Sequence, residues 1–271
     1  MKLSEVYAVL EGVAPKSLSD EYCRKYDGYD NSGILIDCGK EVEKILFSLD
    51  LSAAALDAAE AAGANVIVTH HPAIYAKIGN IVCSDPQGRN LQRAIARGVS
   101  VISMHLNFDC AAGGIDEWLL RALVGNEGKD GNGEGKKAEI LEPLASPGCG
   151  YGRVCEIAPL SAEELAARTE KVLSARKVWC YGGQKTVRRV ASFCGAGGSE
   201  SGVKQAAAAN ADCIVSADFK HHVVTMALEY GMSVIQFTHY ATENYGFQKI
   251  YEQIRQRLGV ESCYFSDERL L

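Results

Sequence analysis

Six histidines occur in this chain of 271 residues, at positions 70, 71, 105, 221, 222 and 239. Four of them stand at, or next to, the end of an apolar run that reads as a buried strand. In open α/β sheets the carboxyl ends of strands are where ligands collect. In VIVTHHP (66–72) an apolar run ends in His70 and His71, and a proline stops it. Successive side chains of a strand point to opposite faces, so one ion is poorly served by this pair in extended backbone. Two ions, or one ion with a turned backbone, fit better; a hydrogen-bonded pair of strand-end histidines is the plainer alternative. In SMHLNFD (103–109) a second apolar run leads into His105, Asn107 and Asp109. Asp109 is a hard-oxygen ligand candidate for Zn, Mn, Fe or Mg, or a simple turn or cap. His105 and Asn107 are placed to orient ligands from behind. In QFTHYATE (236–243) a third run ends at His239, with Glu243 four residues on. If helix begins there, imidazole and carboxylate share one face, and the carboxylate has two oxygens with which to bridge ions.

Three strand ends thus supply His70 and His71, Asp109, and His239 with Glu243. That mixed nitrogen and oxygen set suits Zn, Fe, Mn, Co or Ni without choosing among them. Five ligands exceed what one catalytic zinc usually takes from protein, so two divalent ions per subunit are the economical expectation. Such a pair, about 3.5–4 Å apart, activates water for attack. His222, in SADFKHH (216–222), is a candidate acid/base or substrate-binding residue, with His221 facing away and Asp218 capping the following helix. His105 is the second candidate for moving protons. The glycine-rich CGAGGSE (194–200) could offer amide N–H groups to phosphate, or be only a tight turn; it is neither a full G-x-G-x-x-G nor a P-loop.

The elements that must position these residues alternate along the chain. SGILID (32–37), KILFSLD (44–50), NVIVTH (65–70) and SVISMH (100–105) read as strands. Between them lies a helix N-capped by Ser52 and stopped by Gly63, and another running to Gly98. Val6, Val9, Leu10 and Val13 give the start of the chain an amphipathic helical pattern. Gly113–Gly114 precede a helix over IDEWLLRALVG. The stretch 125–137 is rich in glycine and charge and reads as a loop or hinge. Beyond it YGRVCEIA, KVWCYGG, VRRVASFCG, DCIVSA and SVIQFTH alternate with helical runs, one opened by a Ser161–Glu164 capping box. CYFSD near the end is a candidate edge strand. This alternation argues α/β with largely parallel sheets. Because ligand candidates come from both ends of the chain, the expected organisation is one metal-bearing unit of 1–124 with 236–271. Residues 138–235 are expected to form an interleaved second unit.

Composition narrows the function classes. A hydrophobic fraction of 47% supports a full core without metal staples, so a metal here serves function rather than folding. The formal net charge of −6 does not favour nucleic acid as a general partner. No run is long enough to span a bilayer, and the start carries Glu5 and Glu11 and lacks a signal-peptide core. The 10 cysteines include no C-x-x-C pair and several sit in apolar runs, the pattern of reduced core thiols in a cytoplasmic protein; thiolate zinc ligation is the alternative.

At these residues the sequence resembles the Nif3-like family, also called GTP cyclohydrolase I type 2 homologues, essentially end to end. YDNSGILID (29–37) looks like the family's DN-x-G segment, and VTHHP (68–72) matches its THHP motif. HLNFD (105–109) is similar to HTNLD, with Leu106 and Phe108 as the departures. SADFKHH (216–222) resembles GD-x-K-x-H, and THYATE (238–243) is similar to GHY-x-[ST]-E, with Thr238 where glycine is common. The resemblance implies a Nif3-like fold and a dinuclear metal centre. Its ligands would be His70, His71, Asp109, His239 and Glu243, with Glu243 bridging. It also implies a hexameric ring. The function it suggests is a metal-dependent hydrolase of a nucleotide or related heterocycle, with chemistry like that of a GTP cyclohydrolase. The alternative is a non-enzymatic, metal-binding hexameric scaffold or regulatory protein.

Overall fold

The computed structural model describes residues 1–125 and 138–271, arranged as two compact units. The expected loop or hinge of 125–137 lies, but for Gly125, outside the described residues.

The first unit comprises residues 1–111 and 247–267. Its sheet is built from β1 (Gly33–Ile36), β2 (Lys44–Ser48), β3 (Val66–Thr69), β4 (Ser100–Ser103) and the late strand β11 (Glu261–Tyr264). The order is β1-β4-β3-β2-β11, parallel throughout except where β1 meets β4. The expected edge strand is present but starts two residues earlier than CYFSD, of which only Cys263 and Tyr264 belong to it. The strands β2, β3 and β4 are buried along their length, which is why they read as continuous apolar runs rather than alternating ones. Alternate side chains serve opposite faces. Leu46, Ile67 and Val101 pack with Leu56, Ala59, Leu91 and Ala94 of α3 (Ala53–Ala62) and α4 (Pro86–Arg97). On the other register Phe47 lies 5.9 Å, ring to ring, from Phe247 and 5.0 Å from Tyr251. Both belong to the late helix α10 (His239–Ile254), which contributes residues up to Gly246 to the second unit and those from Phe247 on to the first.

The helix ends follow their local chemistry. Ser52 accepts from the Ala55 amide at the start of α3, and Gly63 and Gly98 close α3 and α4 in left-handed conformation. Three elements escaped the sequence reading. The helix α2 (Lys16–Tyr26) and the strand β5 (Glu139–Pro143) have weak apolar patterns. The five-residue α5 (Leu106–Cys110) is too short for helical periodicity to register.

The second unit comprises residues 112–246 and 268–271. Its six strands run β5-β6-β8-β9-β10-β7, with β6 (Gly150–Ser161), β7 (Val178–Tyr181), β8 (Thr186–Ser192), β9 (Cys213–Ser216) and β10 (Ser233–Phe237). The strands β8, β9 and β10 are parallel, and antiparallel pairings flank them. The helices α8 (Glu200–Ala208) and α9 (His221–Glu229) bury Val203, Ala206, Val223 and Ala227 against Val154, Ala191, Ile214 and Val234. The Ser161–Glu164 capping box forms as read and opens α7 (Ala162–Leu173). The helix α6 (Ile115–Val124) follows Gly113–Gly114 as expected.

All ten cysteines are free thiols, and five are buried. Cys83 is exposed; it lies in the loop ahead of α4, where Ile81 and Val82 are exposed as well. No helix among the described residues is long and apolar enough to cross a membrane.

Candidate metal centre

In the first unit, β3 ends at Thr69, and His70 and His71 lie in a bend just beyond it. The bend removes the strand's alternation. The two rings come together with centroids 5.0 Å apart, and His105 joins them at 5.1 Å from His70 and 5.9 Å from His71. One nitrogen from each of the three lies within 4.8 Å of the others. His105 stands immediately before α5, whose single turn carries Asp109 back toward the cluster. Asp109 Oδ1 is 3.5 Å from His70 Nε2, and both side chains are almost wholly buried, at 5% and 0% exposure.

The histidines are held by one common device. His70 Nδ1 donates to the Met104 carbonyl at 3.0 Å, and a carbonyl can only accept. His71 Nδ1 meets Asp50 Oδ1 at 2.8 Å, and His105 Nδ1 meets Asp30 Oδ1 at 2.9 Å. A partner that accepts at Nδ1 fixes the tautomer and leaves the Nε2 lone pair for another ligand. Asp30 is itself tightly specified. Burial alone would raise its pKa, but hydrogen bonding and charge from His105, with hydrogen bonds from Ser19 and Ser32, bring it down to about 2. The His105 amide donates to Ser32 Oγ at 2.9 Å, and buried Asn107 donates to the Ala14 carbonyl at 2.8 Å. Asn107 therefore braces the turn, as expected of a residue behind the ligands.

In the second unit, β10 ends at Phe237 and α10 starts at His239, earlier than the sequence pattern suggests. His239 and Glu243 are consequently one helical turn apart, with Nε2 and Oε1 separated by 3.1 Å. His239 Nδ1 is anchored 2.6 Å from Asp218 Oδ2. Asp218 was expected to cap α9, but Lys220 occupies that position. The left-handed backbone at Asp218, φ 58°, turns its carboxylate to the imidazole instead. Glu243 is 3% exposed. Gly195 lies against it: a Cβ on Gly195 would fall 2.1 Å from Glu243 Oε1.

The remaining candidates behave differently. His222, on the first turn of α9, is 60% exposed, with Nε2 3.4 Å from Glu200 Oε1. His221 is exposed beside it. Among the described residues, no grouping of side chains able to hold an ion includes either one. Asp50 and Asp30 were not singled out as site residues in the sequence, and Gly195 only as part of the glycine-rich turn of 194–200. Asp50 ends a strand-like run and Asp30 opens the DN-x-G segment. A carboxylate within a few residues of a strand end was the available signal.

The donor set fits divalent metal. Imidazoles with Nδ1 anchored and Nε2 presented, next to buried carboxylates, match how protein ligands are held. A carboxylate taken out of water also needs positive charge close by.

The Duf34/NIF3 (NGG1p interacting factor 3) family model matches residues 1–269. The chain belongs to that family. Among its NIF3 relatives, a Clostridium perfringens protein named "GTP cyclohydrolase 1 type 2 homolog" is 27% identical over 95% of this chain and 93% of its own length. The "NGG1-interacting factor 3" of Saccharomyces cerevisiae is 29% identical over 91% of this chain and 90% of its own. The NIF3 fold is shared with solved structures. A Bacillus cereus protein related to NIF3 superposes with a TM-score of 0.82 at 18% identity, covering 98% of this chain and 96% of that one. Reduced HcgD from Methanocaldococcus jannaschii gives 0.79 at 26% identity, covering 98% of each.

Proposed function

We propose that His70, His71, Asp109, His239 and Glu243 of this NIF3 chain would hold two divalent metal ions, and that the chain acts as a hydrolase on a nucleotide or related heterocycle. The observation that supports this most is the anchoring. His70, His71 and His239 each have Nδ1 committed to a carbonyl or carboxylate, which leaves Nε2 of each for a cation. Bound divalent ions would supply Lewis acidity toward water and substrate.

The chain's own residues have distinct parts in this reading. Asp50 and Asp218 hold the rings of His71 and His239 in orientation. His105, tied to Asp30, keeps Nε2 available to take or return a proton. His222 is the second proton-transfer candidate, and its exposed position suits contact with a substrate arriving from solvent. Thr69 and Ser103 hydroxyls, 2.7 Å apart and buried, tie the ends of β3 and β4 together beneath the bend.

The test is elemental analysis of purified protein, followed by turnover of GTP and of a phosphodiester with added Mn, Zn, Fe, Co or Ni. Two ions per chain are expected in the wild type, and clearly fewer in Glu243→Gln. Turnover by Glu243→Ala equal to wild type would sink the hydrolase reading. Full metal content without turnover of any nucleotide would favour a metal-binding scaffold, and sizing by light scattering then checks for the hexamer.

A further inference from the structure

Asp116 and Arg153 form an ion pair deep in the second unit, with 0% and 2% exposure. Isolation of two charges from water costs more than their attraction returns unless every other polar atom is satisfied. Apolar pairs of similar volume are often as stable or more so. Stability therefore gives a weak reason for this pair, and its hydrogen bonds give a better one. One oxygen of Asp116 takes the Arg153 guanidinium, and the other accepts the Cys194 amide at 3.0 Å. Arg153 is in turn oriented by the Gly150 and Gly148 carbonyls, each at 3.4 Å. The Cys194 carbonyl is held by the Tyr151 hydroxyl.

The turn so fixed continues into Gly195. Its amide donates to Thr242 Oγ1 at 2.9 Å, and that hydroxyl donates to the His239 carbonyl at 2.7 Å. Gly195 adopts φ +56°, and the space where its Cβ would stand is taken by Glu243 Oε1, 2.1 Å away, with His239 Nε2 at 3.2 Å. The backbone of the turn is thus a wall for the Glu243 carboxylate.

We propose that the buried Asp116–Arg153 pair is a positioning device for Glu243, clamping the Cys194–Gly195 turn so that its backbone fixes the carboxylate beside His239. The pair touches neither ion nor substrate and acts only through the turn. The inference rests on the reading of Glu243 as a metal ligand.

Cobalt(II) is the probe, because its visible absorption reports ligand geometry as well as binding. Gly195→Ala puts a methyl where Glu243 Oε1 now sits, so the end of that side chain must yield, and the left-handed φ adds backbone strain at the turn. Asp116→Leu combined with Arg153→Met removes the pair but keeps the volume. Both variants are expected to keep the wild-type circular dichroism. Both should bind Co(II) roughly 10–100-fold more weakly, as loss of ligand support typically does, and with a changed spectrum. Glu243→Gln is the reference. If Glu243→Gln binds Co(II) like wild type, the metal reading itself fails. If Glu243→Gln loses Co(II) while Gly195→Ala and the double variant match wild type in affinity and spectrum, the positioning proposal is overturned and the metal reading stands. Should the double variant not fold, Asp116→Asn decides, because it keeps the shape and removes the charge pair. Unchanged Co(II) affinity and spectrum there mean that the pair does not position Glu243.

Discussion

Two histidine doublets follow buried parallel strands in this chain, and they meet different fates. His70–His71 come directly off β3 into a bend, and each Nδ1 finds an acceptor, Met104 or Asp50. His221–His222 start five residues after the end of β9, on the first turn of α9, and both are exposed. Each apolar run ends in a small polar residue, Thr69 or Ser216, but the paired imidazoles follow at once only in the first; Ala217–Lys220 intervene in the second. What separates them is the partner behind the ring, which the fold delivers from 21 and 34 residues away in the first doublet. Near the second doublet the supporting role goes to Asp218, which serves His239 instead. A strand-end histidine becomes a candidate ligand when something accepts its Nδ1 proton.

The sharpest way to break this comparison is to delete one residue from each doublet. His70→Ala should lose metal almost completely, measured by elemental analysis after dialysis, while His221→Ala should retain the wild-type content. Equal retention by both would erase the distinction. Next in size is removal of the acceptors alone. Asp50→Asn and Asp218→Asn should each weaken metal binding roughly 10–100-fold, read by competition with a chelator. Glu200→Gln, which faces His222, should leave it unchanged.

A smaller effect concerns His105 and Asp30. The folded-state pKa of Asp30 is depressed from 3.8 to about 2. Its contribution to stability is therefore fully present above pH 3.8 and lost as pH falls through about 2. That contribution is about 2 kcal/mol. Urea titrations of wild type and Asp30→Asn should differ most at neutral pH and converge toward pH 2; a difference that grows on acidification would contradict the arrangement. The least effect is expected at the exposed doublet. His222→Ala should change stability by no more than about 0.5 kcal/mol in the same titration.

The parallel sheets were legible because buried strands need apolar side chains on both faces, and VIVT, SVIS, CIVS and SVIQF have them. The caps at Ser52 and Ser161 were legible because their partners lie three residues away. His239 and Glu243 could be paired for the same reason, since the spacing itself encodes one helical turn. Asp50 behind His71, Asp30 behind His105 and Gly195 against Glu243 could not be read this way. Each pairing spans tens of residues and is set by which strand ends the topology makes neighbours. The early start of α10 was hidden by Phe237–Tyr240, whose residues suit a strand as well as a helix.

The Asn107 amide carries a practical lesson for anyone editing the gene. Its grip on the Ala14 carbonyl and its Oδ1, 3.1 Å from the Ser32 hydroxyl, stitch the opening segments of the polypeptide to the loop that bears His105 and Asp109. Trimming those first segments to improve expression, or fusing a bulky tag where they pack, would loosen the imidazole cluster from a distance, and an inactive product from such an edit would say nothing about the chemistry of the intact protein.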